Sequence, residues 1–81
     1  MIEQSIAEYL LLHQEGIKSV LSELCVESKT NPILKTYLNE AIVNKVILQL
    51  TSGLQLNYEE VAQYVDYDYI VNLLGKEFFN L

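Results

Sequence analysis

Proton-transfer and nucleophilic chemistry fall most readily to imidazoles, thiols and paired carboxylates, and this chain holds one imidazole, His13, and one thiol, Cys25. His13 stands between Leu10 and Ile17 on an apolar helical stripe. Glu15 is two residues on, a spacing that does not face it on one helix. His13 therefore reads as a partly covered packing residue at a helix interface, where it could lend pH sensitivity, rather than as a base with a nucleophile beside it. Cys25 lies on the apolar side of its own helical pattern and, being alone, forms no internal disulfide; it reads as a small buried hydrophobe. No spaced Cys or His pairs suggest a zinc site. The sequence predicts no catalytic residue, no metal and no cofactor.

The remaining candidate chemistry is a run of carboxylates interleaved with phenols: Tyr58, Glu59, Glu60, Tyr64, Asp66, Tyr67, Asp68 and Tyr69. Acid–base catalysis would need two carboxylates held in different environments, and nothing in this spacing separates them. A calcium loop needs oxygen ligands at alternate positions over about 12 residues around a central Gly, and Asp66 with Asp68 falls short of that. Helix capping and solvated faces account for the carboxylates in the ordinary way. Four tyrosines within residues 58–69 are harder to place in so small a core. Tyr supplies large contact area at low entropic cost and is enriched where interfaces are strong. These eight residues are the expected protein-binding face.

Charge says what such a face would meet. The 81 residues carry 11 carboxylates against 5 lysines and no arginine, a net charge of −6. Affinity for phosphate backbones rests on clustered Lys and Arg, so this balance argues against direct nucleic-acid binding and favours a protein partner with a basic surface. No cationic segment followed by an apolar run opens the chain, and no apolar stretch approaches the roughly 20 residues of a membrane span. A cytoplasmic location without membrane contact is the expectation.

The elements that must position these residues are helical. With 51% hydrophobic residues and helix-period spacing throughout, the chain is expected to be all-α: one compact bundle of about four helices forming a single domain over residues 1–81. Ile6, Leu10, His13, Ile17, Val20 and Leu24 step by four and three, which is a coiled-coil-like seam. It predicts a helix over about 2–27, bent at Gly16 or divided there. The seam is satisfied either inside the bundle or against a second copy in a homodimer.

Glu27 to Thr30 forms a connector. Asn31 as cap and Pro32 at the first helical position then open a helix over 32–51, apolar on most of its circumference and closed by Gly53. Asn57 and Glu60 have the spacing of a capping box, with Leu56 and Val61 as hydrophobic staple, so a third helix is predicted over 58–65. Asp66 or Asp68 caps a fourth over 67–80, whose stripe is Tyr67, Val71, Leu74, Phe78 and Leu81.

The run Leu56-Asn57-Tyr58-Glu59-Glu60-Val61-Ala62-Gln63-Tyr64-Val65 resembles the first helix of a helix-turn-helix unit of the excisionase-like or MerR-like kind, with Ala62 at the packed small position. The resemblance covers about a quarter of the chain and implies a DNA-reading helix after the turn. The chain departs from the pattern where it matters for that activity. Asp66 stands where Gly usually makes the turn, and residues 67–79 offer only Lys76 as a cation, whereas a reading helix needs side chains for bases and for phosphates.

Four readings follow, the first of them favoured. The first is a small acidic, non-enzymatic interaction module, a regulator or inhibitor of a partner protein. The alternatives are a degenerate helix-turn-helix DNA-binding protein and a mimic of DNA charge that occupies a nucleic-acid site on a host protein. An enzyme ranks last, since no nucleophile, base and orienting group are recognisable together.

Overall fold

Asn31 and Pro32 start a helix as expected. In the computed structural model, which describes residues 1–79, the Asn31 side chain accepts from the Leu34 N–H at 3.1 Å. That helix, α3, is however only Pro32–Thr36. Tyr37 leaves helical geometry at φ −110°, ψ 27°, and the main rod α4 runs from Leu38 to Leu54. The Thr36 hydroxyl donates back to the Pro32 carbonyl, a side-chain bond that competes with the regular ladder. The expected 32–51 helix is thus two helices. The burial is confined to the second: Ile42, Val46, Ile47 and Leu50 are buried, α3 buries nothing, and Ile33 is 75% exposed.

The end of α4 also differs from expectation. Gly53 lies inside the helix, and the left-handed residue that closes it is Gln55, φ 58°. Gly53 has a different task. A Cβ there would overlap the ring of Tyr9 from the first helix, so glycine is what lets that ring lie against the α4 backbone.

The first predicted helix is also divided, at His13 rather than at Gly16. Helix α1 spans Ile2–Leu12 and α2 spans Gln14–Ser28, with His13 between them at φ −106°, ψ 19°. The His13 N–H still donates to Tyr9 and the His13 carbonyl still accepts from Ile17, so the apolar seam keeps its phase across the break. At the break the Gln14 side-chain amide donates to the Leu11 carbonyl, and the His13 ring lies 4.3 Å from that of Tyr9. A Cβ at Gly16 would meet nothing within 4 Å, so packing makes no demand for a bend at that position. Of the seam, Ile6, Leu10, Ile17 and Leu24 are buried within the single chain, joined by Leu21, whereas His13 is exposed.

The capping box of the third predicted helix is present. The Glu60 N–H donates to Asn57 Oδ1 at 2.9 Å and the Asn57 N–H to Glu60 Oε1 at 3.4 Å. The helix, α5, covers Tyr58–Ala62, shorter than 58–65, and continues as a turn in which the Tyr64 N–H donates to Val61. Asp66 caps the next, its Oδ1 accepting from the Tyr69 N–H at 2.8 Å. This helix, α6, is Tyr67–Leu74. It stops where Gly75 takes φ +106°, well before 80. Phe78 and Phe79 follow in a turn, and residues 80 and 81, including the stripe position Leu81, lie outside the described residues.

Among the described residues, all five other helices pack on α4. Around it, Ile6, Leu10, Leu21, Val61, Val65, Ile70 and Leu74 complete one contiguous buried cluster. The described residues are all-helical with no strand, and no helix among them is long and apolar enough to cross a membrane. Every buried side-chain polar atom among them has a hydrogen-bond partner.

Candidate interaction surface

The capped start of α5 and the capped start of α6 set where the acidic and phenolic side chains stand. Asn57 fixes the first turn of α5, and Tyr58 there is 42% exposed, its hydroxyl donating to Asn44 Oδ1 of α4 at 2.9 Å. That bond anchors an otherwise free ring to the central rod. Asp66 fixes the first turn of α6, and Tyr67 packs edge-on against Phe79 with centroids 5.9 Å apart.

Tyr58, Asp66 and Tyr67 line one open cleft of about 340 Å³ with Asn39, Glu40 and Val43 of α4 and with buried Val65. Two phenols, two carboxylates and two valines therefore share one concavity. No lysine lines it. A second cleft, about 290 Å³, shares Tyr67 and Asn39 with the first and is also lined by Cys25, Val26, Leu38, Ile42, Phe78 and Phe79, with the Lys18 ammonium 5.9 Å from the Phe78 ring centre.

The other predicted face residues go elsewhere. Glu60 is taken up by the capping box. Glu59 and Asp68 are exposed, as is Tyr64 at 38%. Tyr69 is half-buried, and burial pushes its phenol above the usual 10.0, the charge of Glu3 on α1 adding to the effect. Tyr69 thus belongs to the α1 side of the molecule.

Reading residues 58–69 alone misses the α4 contribution of Asn39, Glu40, Val43 and Asn44. The available signal is that Glu40 and Asn44 are polar and four apart on a rod otherwise rich in apolar residues, so they mark its outward side.

The chemistry-bearing residues stay apart from this cleft. His13 and Glu15 line one cleft of about 380 Å³ together with Tyr9 and Gln49. Cys25 is half-buried against the core, and its carbonyl accepts from the buried Ser28 hydroxyl at 2.6 Å. Among the described residues no three His, Cys, Asp or Glu side chains gather as a metal site.

The helix-turn-helix resemblance meets a structural difference. α5 and α6 each pack on α4 more than on one another, whereas the two helices of that unit form a joined pair. α6, in the place of the reading helix, carries Asp68 and no lysine. Comparison with protein-family models, with curated proteins and with solved structures finds no match.

Proposed function

We propose that the protein is a small, acidic, non-enzymatic interaction module, a regulator or inhibitor that acts by binding a partner protein with a basic surface. The binding face is built on Tyr58, Asp66 and Tyr67 with the exposed Glu59, Tyr64 and Asp68 around them, Glu60 and Tyr69 of the same run being engaged elsewhere, and it is carried by a single cytoplasmic domain read as a bundle of about four helices. The observation that supports this reading is the cleft in which Tyr58 and Tyr67 stand beside Glu40 and Asp66 with no cation among them, on a chain of net charge −6. Aromatic anchors in a concave patch are what binding hot spots are made of, and the surrounding charge steers and selects the partner.

The test is charge reversal outside the cleft. The partner is captured from the native cell, identified by mass spectrometry and purified, and its affinity is measured for the wild type and for the Glu59→Lys, Asp68→Lys double variant. The expected result is at least a roughly tenfold weaker Kd at physiological salt, with the wild-type affinity itself falling as salt rises. An unchanged Kd removes the proposal.

A further inference from the structure

The cleft between α4 and the α5–α6 turn has a chemistry more specific than a negative patch. Its apolar part is Val65, buried, and Val43, half-buried. Tyr58 and Tyr67 are its aromatic walls, and both are held in place, one by the hydrogen bond to Asn44 and the other by the edge contact with Phe79. Rings already fixed lose little freedom on binding. Glu40 and Asp66 supply the charge, and the cap bond to Tyr69 uses Asp66 Oδ1, leaving Oδ2 for a ligand.

We infer that this cleft is the seat of an arginine side chain from the partner, an assignment that rests on the interaction reading above. Arginine matches each part of the lining. Its aliphatic stem covers the valines, its flat guanidinium stacks on a phenol face, and its fork of donors suits carboxylates in a way that the point charge of lysine does not. An apolar side chain would leave Glu40 and Asp66 partly desolvated without a counter-charge. A carboxylate would be repelled.

The probe is N-acetyl-arginine amide, titrated into the ¹⁵N-labelled protein and followed by amide chemical shifts, with N-acetyl-citrulline amide as the neutral isostere and N-acetyl-lysine amide as the cation without a fork. Saturable shifts are expected at Asn39, Glu40, Val43, Asp66 and Tyr67 with a Kd of about 1–10 mM, fitting one side chain without its flanking contacts. Binding should be several-fold weaker for lysine and absent for citrulline. The Glu40→Gln, Asp66→Asn double variant should bind arginine at least about fivefold more weakly. Asn caps as well as Asp, so α6 survives the change and the spectrum away from the cleft is unaltered.

Shifts that do not saturate, that centre elsewhere, that citrulline reproduces, or that the double variant leaves intact overturn the assignment. The two levels of inference fail separately. If arginine does not bind but reversal at Glu59 and Asp68 still weakens the partner, the interaction face stands and the cleft is not its anchor point. If arginine binds and the partner ignores both sets of changes, the cleft is a cation site and the interaction reading falls.

Discussion

Two isoleucines in the predicted central rod should respond very differently to the same substitution. Ile42 is 2% exposed and belongs to the buried cluster, whereas Ile33 is 75% exposed on α3, which buries no residue. Cutting a buried Ile back to Ala removes apolar contact and leaves a cavity that the neighbours only partly fill, at a cost of about 2–5 kcal/mol. Total stability for a chain of this size is roughly 4–12 kcal/mol, so Ile42→Ala should remove a large part of it. Ile33→Ala removes little buried surface and exchanges a β-branched side chain for the best helix former, so it should be neutral or stabilising by a few tenths of a kcal/mol. Urea unfolding followed by far-UV circular dichroism separates the two. With an m-value of about 1 kcal/mol per molar, Ile42→Ala should lower the midpoint by about 2 M or more, and Ile33→Ala should move it by less than about 0.5 M. Should Ile42→Ala fail to fold, Ile42→Val, expected to cost about 0.5–1.5 kcal/mol, keeps the comparison. Equal losses at the two positions would mean that Ile33 is buried like Ile42 and would refute the confinement of the burial to α4.

The reciprocal cap at the start of α5 predicts that Asn57→Ala costs about 1 kcal/mol while Asn57→Ser stays within a few tenths, read from the same urea curves. Tyr69 predicts an alkaline limb. Its phenol is raised in the folded protein above the usual 10.0 by burial and by Glu3, so the folded state holds that proton more tightly than the unfolded chain does. The associated stability is fully present below pH 10 and is lost as pH rises through the higher folded value. Tyr69→Phe should flatten this loss above about pH 10 relative to wild type, and Glu3→Gln should shrink it. Parallel pH profiles for Tyr69→Phe and wild type would exclude it.

The parts of the fold most legible in the sequence are those written in local chemistry. Asn31 with Pro32, Asn57 with Glu60, and Asp66 all cap helices as their types require, because a cap is settled within four residues. The division of the long helices is not local in that sense. Across His13 and across Tyr37 the four-residue backbone bonds on either side persist, so the apolar stripe keeps its register and periodicity carries no trace of the break. Gly53 misleads for a related reason. A glycine near a helix end reads as a terminator, but here a ring from α1 claims the space of its side chain, and Gln55 takes the left-handed turn at a steric cost of about 1 kcal/mol or more.

The candidate cleft was half legible, and the division follows from what builds it. Tyr58, Asp66 and Tyr67 are neighbours in sequence as well as in space, and their types alone draw attention. Glu40, Val43 and Asn44 enter only because α5 and α6 both pack on α4, and no pattern within residues 38–54 states which of its sides they will cover. The converse holds for Glu60 and Tyr69, which share the run but not the cleft. Glu60 turns back to close the cap of α5, and Tyr69 faces the charge of Glu3, since successive residues of a helix diverge by about 100°. A linear run of acidic and aromatic residues thus overstates the face by those that the helix turns away. It understates the face by those that the central rod contributes, and in this chain the carboxylate it leaves out, Glu40, supplies half of the charge that an arginine would meet.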